Sequence, residues 1–227
     1  MLSFTVPSTV TNVGDLAFGG CYRLVEVFNR SALPLTAGSM ENGGVAAFAL
    51  DIYTAKRAES KLAMLSNDFI VRSDDFTVAI VAFNSTASSL ILPDEINGKP
   101  LTINAYAFAG NKTLKVLDIG SGLTAIGDYA FKDATALNRI ISSDADALTH
   151  VGKGAFEGCV DLTSFYVTES VATIGADAFG GCVSLTIFTP ISAPAIGWSE
   201  GWNSYGCQVV WSYTASDTDT PIVPGKN

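Results

Sequence analysis

The dipeptide Ala-Phe recurs with regular surroundings at Ala17-Phe18, Ala107-Phe108, Ala130-Phe131, Ala155-Phe156 and Ala178-Phe179. The phenylalanines are 90, 23, 25 and 23 residues apart, and six residues after each comes a leucine: Leu24, Leu114, Leu137, Leu162 and Leu185. Five residues before each stands a β-branched residue, Val13, Ile103, Ile126, Val151 or Ile174, and eight before stand Val10, Leu123, Leu148 and Val171. Glycine follows the phenylalanine by two at Gly20, Gly110, Gly158 and Gly181. A unit of this length has too few apolar side chains to cover its own face, so successive units must stack and share one core.

The third residue after each motif leucine is apolar (Val27, Leu117, Ile140, Phe165, Phe188). It reads as the inward residue of a short strand that pairs in parallel from coil to coil. The glycines suit corners with positive φ, and the Ala-Phe-x-Gly segment reads as one short helical turn on the convex side.

The strings Thr-Ala-Ile-Gly-Asp-Tyr-Ala-Phe at 124–131 and Thr-Ile-Gly-Ala-Asp-Ala-Phe-Gly-Gly-Cys at 173–182 resemble BspA-type leucine-rich repeats. The resemblance covers about residues 2–30 and 90–190. It implies a leucine-rich-repeat solenoid and a surface protein that engages other proteins in adhesion or host interaction. Pro100 and Asn104 depart from the pattern, as do Asp133-Ala134 where Gly-Cys is usual. Two extra residues near Ser142 to Asp146 predict a bulging loop.

Stepping 23 residues at a time from Phe18 lands on Glu41, Met64 and Ala87, none of which fits the phenylalanine place. The interval is therefore read as an insertion. Alternation at Phe48, Leu50 and Ile52 and at Phe76, Val78 and Ile80 predicts antiparallel strands, with Ser73-Asp74-Asp75 as turn chemistry. The expected organisation is a first repeat over 1–39, a β-rich insertion over 40–92, a repeat block over 93–212 and a linker-like tail over 213–227. Trp198, Trp202, Cys207 and Trp211 are expected to close the last coil.

Composition narrows the function classes. With 13 Lys plus Arg against 22 Asp plus Glu, the net charge of -9 leaves no basic stripe for nucleic acid or an anionic membrane. No apolar stretch approaches the roughly 20 residues that span a bilayer. No signal peptide is visible, and an extracellular or cell-surface location presumes its removal.

Cys21, Cys159 and Cys182 share one repeat position, which predicts free buried thiols rather than a disulfide or zinc site. His150 near Asp144 and Asp146 lacks a second histidine or a positioned nucleophile and reads as a surface residue. The patterns at Asn29, Asn84 and Asn111 match N-glycosylation but are short enough to arise by chance. No cofactor or metal is expected. The candidate site is the strand face, whose outward residues are the second and fourth after each motif leucine: Glu26 and Phe28, Val116 and Asp118, Arg139 and Ile141, Ser164 and Tyr166, Ile187 and Thr189. This row is apolar enough to mark a contact, unless the insertion or a terminus covers it.

The expected function is non-catalytic binding of another protein, with host and matrix proteins as candidate partners. The alternatives are a structural spacer in a longer surface protein and, third, an enzyme using the insertion.

Overall fold

The computed structural model describes residues 1–55, 58–65, 68–142 and 146–214. Asp144, most of the expected bulge near Ser142 to Asp146, and the expected tail beyond Thr214 lie outside the described residues. Two compact units divide the chain, Met1–Leu62 and Ala63–Asn227.

In the first unit, β1 (Ser3–Val6), β2 (Glu26–Asn29) and β3 (Asp51–Tyr53) pair in parallel in that order. Phe4 pairs with Val27 and Val27 with Ile52, so equivalent positions are 23 and then 25 residues apart. Asp51–Tyr53 thus closes a second coil inside the interval read as an insertion. Its hydrogen bonding shows why the motif search passed over it. The Phe18 N–H donates to Gly43 O at 2.9 Å, as Phe108 N–H donates to Ala130 O at 2.8 Å. Gly43-Gly44 therefore stand in the Ala-Phe place without a ring. A short 3-10 helix, Asn42–Gly44, forms there, and Val6, Leu24, Val27, Val45, Ala46 and Ala49 make the core.

The second unit contains β4 (Leu62–Leu65, beginning with the last residue of the first unit), β5 (Phe69–Ser73), β6 (Val78–Phe83), β7 (Ser89–Ile91), β8 (Leu101–Ile103) and β9 (Val116–Asp118). It continues through β10 (Leu123–Ile126), β11 (Arg139–Ile141), β12 (His150–Val151), β13 (Ser164–Tyr166), β14 (Thr173–Ile174), β15 (Thr186–Phe188) and β16 (Gln208–Val210). These form two sheets, ordered β14-β12-β10-β8-β6-β5-β4 and β16-β15-β13-β11-β9-β7. β5 pairs with β6 antiparallel, whereas β6 also pairs β8 in parallel, Val78 with Leu101 and Ile80 with Ile103. The interval therefore carries a strand hairpin and a further coil side by side. Ala82-Phe83 is the Ala-Phe pair of that coil, 25 residues before Ala107-Phe108, and its ring stacks on Phe108 at 5.2 Å. Ala87, rejected as a phenylalanine position, takes the place of the motif leucine, because Ser88 O receives Lys115 N–H just as Lys115 O receives Asn138 N–H.

Each regular coil contributes a strand to both sheets. The sheet through β8, β10, β12 and β14 arises from the apolar residues eight and five before each phenylalanine. A spacing of three does not look like a strand, yet Leu123 and Ile126 are both buried because the β8–β10 pairing shifts register between Leu123 and Ala125. Between the sheets run hydrogen-bonded turns rather than helix. Ala-Phe turns are tied from coil to coil, Phe108 to Ala130, Phe131 to Ala155 and Phe156 to Ala178, at 2.7–2.8 Å. The Phe108, Phe131, Phe156 and Phe179 rings stack at 4.7, 5.2 and 5.7 Å. Parallel backbone ladders fix the coil spacing, and that spacing brings equivalent rings into contact.

The cysteines follow the same logic. Cys159 and Cys182 are buried free thiols whose Sγ atoms donate to Phe131 O and Phe156 O of the preceding coils at 3.2 and 3.1 Å. Burial pushes the Cys182 thiol up to about 12 and that of Cys159 well above its ordinary value, with neighbouring thiols adding to the effect. Cys207 extends the row, its Sγ 3.7 Å from Phe179 O. Beyond the last Ala-Phe pair, Trp198 and Trp202 are buried and packed edge to face at 4.8 Å, and Trp202 meets Phe179 at 6.1 Å. The Trp198 Nε1–H donates to Val171 O at 3.0 Å, which satisfies the polar end of the buried indole. Trp211 joins both rings, so the tryptophans cover the end of the stacked core.

Candidate binding face

In the sheet from β7 to β16 side chains alternate between core and surface, as the period of two requires. Leu90, Leu117, Ile140, Phe165 and Ile187 point into the core. The residues on either side form two outward lanes. Register pairs align Ser89, Val116, Arg139, Ser164, Thr186 and Gln208 in the first, which is mostly polar. The second contains Ile91, Asp118 and Ile141 in register, and Tyr166, Phe188 and Val210 in register, and is mostly apolar. At about 4.8 Å per strand step the six strands present a strip roughly 24 Å long.

Of the sequence-predicted residues, Val116, Asp118, Arg139, Ile141, Ser164 and Tyr166 are brought together here, all half-buried. Ile187 and Thr189 are corrected: both are 0% exposed, inside the coil. One residue lies between Leu162 and Ser164, but none between Leu185 and Thr186, and Ser164 pairs with Thr186. This single-residue shortening reverses the facing of every side chain after it. Thr186 and Phe188 take the outward places, and Phe188, predicted inward, is half-buried on the surface. Only a count against the neighbouring strand reveals the slip, since Ile187 and Phe188 are both apolar.

Glu26 and Phe28 belong to the sheet of the first unit. Phe28 is half-buried, stacked on Tyr53 at 4.8 Å, with the Arg30 guanidinium 5.7 Å from its centroid. Glu26 is corrected as an open binding residue, because it is 0% exposed. Its carboxylate accepts hydrogen bonds from Tyr53 Oη at 2.9 Å, Ser60 Oγ at 2.6 Å and Lys61 N–H at 2.7 Å. A buried carboxylate needs such donors. Burial, the bond to Glu26 and the charges of Asp51 and Glu26 together push the Tyr53 phenol up to about 12. Segment 60–61 therefore covers this part of the row, and Glu26 holds it there.

The most developed feature of the longer strip is aromatic. Tyr213 follows β16 and returns, its N–H donating to Thr189 O at 2.9 Å. Its ring meets Phe188 at 5.2 Å and Tyr166 at 6.2 Å, inclined 67° and 73° to them. Sequence reasoning placed Tyr213 at the start of the tail and missed it, because nothing in the repeat pattern locates a residue beyond the last coil. Nearby charge is acidic. The Tyr166 phenol is held above its ordinary value by burial first, then by the charge of Glu169, by Tyr213 and by Asp146. In the polar lane, Arg139 keeps a buried Nε without a hydrogen-bond partner.

Among the described residues, no group of three or more His, Cys, Asp or Glu gathers to hold a metal ion. His150 is exposed, with Nδ1 2.6 Å from Thr173 Oγ1. Asn29, one of the glycosylation-pattern residues, is buried, its side chain bonded to Leu33 O and to Ser31. No helix among the described residues is long and apolar enough to cross a membrane.

A family model described as BspA type leucine rich repeat region matches residues 80–197 in six copies. No curated protein gives a significant match. Among solved structures, a leucine rich cell surface protein from Faecalibacterium prausnitzii A2-165 is 22% identical, with a TM-score of 0.56, covering 93% of this chain and 60% of that one. The T. pallidum leucine rich repeat protein is 23% identical, with a TM-score of 0.42 over 55% of this chain and 70% of that one. The pneumococcal vaccine antigen PcpA is 16% identical, with a TM-score of 0.44 over 82% of this chain and 56% of that one. The first likeness carries the fold. The chain spans between 56% and 70% of the length of these three.

Proposed function

This chain belongs to the BspA-type leucine-rich-repeat family, and from that premise we propose that it is a non-catalytic protein-binding module of a cell-surface or secreted protein. Its contact surface is the strip of outward residues on the sheet from β7 to β16. The observation that carries the reading is the composition of that strip: half-buried Ile141, Tyr166 and Phe188 stand in an apolar lane beside a polar lane containing Arg139 and Ser164. Apolar surface rimmed by polar groups is the usual anatomy of a protein contact, and aromatic and arginine side chains dominate such energies. Adhesion to a host or matrix protein is the role this surface serves in the proposal. Membership of a repeat family and the surface location named for the Faecalibacterium protein support it.

A panel of purified extracellular-matrix and host surface proteins, immobilised and probed with the full chain, tests the reading. At least one saturable partner is expected, with binding weakened about tenfold or more by the double substitution Tyr166→Ala, Arg139→Ala. Binding that survives this change and all further substitutions in the two lanes would remove the strip as the contact surface.

A further inference from the structure

We propose that the polar lane of the longer sheet receives an extended acidic segment of the partner protein, with an aspartate or glutamate carboxylate paired to the Arg139 guanidinium. This rests on the reading of the strip as a protein-binding face and names the chemistry that its polar side selects. The first unit shows how such a lane holds a segment of chain. Glu26 stands two residues after Leu24, as Arg139 stands two after Leu137, and its register partner on the next strand is Asp51. Segment 60–61 lies against this acidic pair. Ser60 Oγ and Lys61 N–H donate to the two oxygens of the Glu26 carboxylate at 2.6 and 2.7 Å, and Lys61 Nζ pairs with Asp51 Oδ1 at 2.9 Å. Side chains of the lane therefore hold the segment, and they match it by charge: carboxylates on the strands, a hydroxyl, an N–H and an ammonium on the segment.

In the longer sheet the same lane carries the opposite charge. Register aligns Val116, Arg139, Ser164 and Thr186 there, with no carboxylate among them. Among the described residues no ion pair or hydrogen bond engages the Arg139 guanidinium, and its Nε is buried without an acceptor. A carboxylate is the group that answers a guanidinium best, because it accepts two parallel N–H bonds from the planar fork. Arg139 is half-buried, so such a pair is shielded from water on one side and is stronger than an exposed one. Ser164 and Thr186 follow at one and two strand steps, about 4.8 Å each, and offer hydroxyl donors to the next oxygens of an extended segment. A second cation stands on the neighbouring coil: Lys115 is exposed, and its backbone O accepts the Asn138 and Arg139 N–H groups at 2.9 and 3.1 Å. Asp118 belongs to the other lane, and its Oδ1 accepts the Gly120 N–H at 3.1 Å. The net charge of -9 is spread over the whole chain, and salt screens its exposed part beyond about 8 Å. Contact with Arg139 is then governed by the lane itself.

The test uses the full chain, 15N-labelled, titrated with a capped peptide, Gly-Ser-Glu-Gly-Thr-Asp-Gly-Ser. Two controls of equal length replace both acids, one with the corresponding amides and one with lysines. Saturable shifts at the Arg139 Nε–H and at the Ser164 and Thr186 amides are expected, with a Kd of about 1 mM or tighter and the amide control weaker by about fivefold or more. Arg139→Gln should abolish these shifts while the rest of the spectrum is kept. Arg139→Lys should retain a fraction of the affinity, because a point charge takes the place of a planar fork. Arg139→Glu gives the lane the carboxylate that Glu26 supplies in the first unit, and this variant should exchange preference, binding the lysine peptide and not the acidic one. The comparison of the three peptides on the parent chain stands even where a variant fails to fold. Equal binding of the amide control, shifts mapping away from Arg139, no saturable shift with the acidic peptide, or unchanged affinity in Arg139→Gln would overturn the assignment. Should a protein partner from the panel still lose affinity on Tyr166→Ala alone after such a result, the contact surface stands and only its preference for an acidic segment falls.

Discussion

Gly152 does not adopt positive φ, and crowding is what calls for glycine there instead. A Cβ built there would lie 2.6 Å from Asp128 N and from Gly127 C, both backbone atoms of the preceding coil. The glycines that follow Ile126, Val151 and Ile174 thus mark where neighbouring coils touch main chain to main chain. Left-handed backbone occurs elsewhere, notably just before the alanine of the Ala-Phe pair, at Tyr106, Tyr129 and Asp177, and at Gly158 two residues after Phe156. Positive φ, the reason expected for the motif glycines, holds for Gly158, whereas at Gly127, Gly152 and Gly175 close backbone approach is the reason. Gly14 provides a control, since a Cβ there meets nothing within 4 Å. Gly152→Ala should destabilise the protein by about 2 kcal/mol, lowering Tm by several degrees. Gly14→Ala should stay within about 0.5 kcal/mol of the parent. Thermal and urea unfolding of the two variants side by side checks both expectations, and equal losses would mean that close approach is not what selects glycine at 152.

At the level of elements, regular coils were legible and degenerate ones were not. Leu114 to Val116 and Leu137 to Arg139 keep one spacing, so the alternation puts half-buried Asp118, Arg139 and Ile141 beside the buried Leu117 and Ile140. Leu185 to Thr186 does not, and the pattern of apolar residues contains no trace of the loss because Ile187 and Phe188 fit either face. The coil through Ala82-Phe83 escaped because its leucine place is filled by Ala87, and the coil through Asp51–Tyr53 because Gly43-Gly44 lack the ring. The hairpin from β5 to β6 was legible, for turn chemistry is local. Asp74 Oδ1 accepts the backbone N–H groups of Phe76 at 2.9 Å and Thr77 at 2.8 Å, and Oδ2 pairs with Arg72 at 3.0 Å. Those bonds, the two backbone donors first, hold the Asp74 carboxyl well below its ordinary value of 3.8. A lowered folded value means that the stabilisation is fully present above 3.8 and is lost as pH falls through the folded value. Amide protection factors across Val71, Ser73 and Val78 should therefore decline on the acid side of pH 4. Asp74→Ala should show lower protection at neutral pH and little further decline in acid; an unchanged acid profile in that variant would assign the loss to other carboxylates.

For the whole molecule, a net charge of -9 argued against nucleic acid, but the two outward lanes of the sheet emerged only once strand register was known. What the repeat does predict at this scale is how stability is distributed. Within the second unit the phenylalanine rings form a column in which each touches its neighbours, Phe108 with Phe131 at 4.7 Å, Phe131 with Phe156 at 5.2 Å and Phe156 with Phe179 at 5.7 Å. Backbone bonds between Ala-Phe turns likewise join successive coils, Phe131 to Ala155 and Phe156 to Ala178. Free energy in such an array is a sum of coil terms and nearest-neighbour terms. Substitutions in adjacent coils must then interact, while those several coils apart must not. A double-mutant cycle of Phe131→Leu with Phe156→Leu should yield a coupling of about 0.5–1.5 kcal/mol, the usual range for an aromatic pair. The cycle of Phe108→Leu with Phe179→Leu, three coils apart, should be additive within about 0.5 kcal/mol. Both cycles can be measured by urea unfolding at one temperature, provided that each variant keeps the parent m-value. A coupling for the distant pair as large as that for the adjacent pair would show that the column responds as one rigid body, and that stability in this unit is not carried from coil to coil.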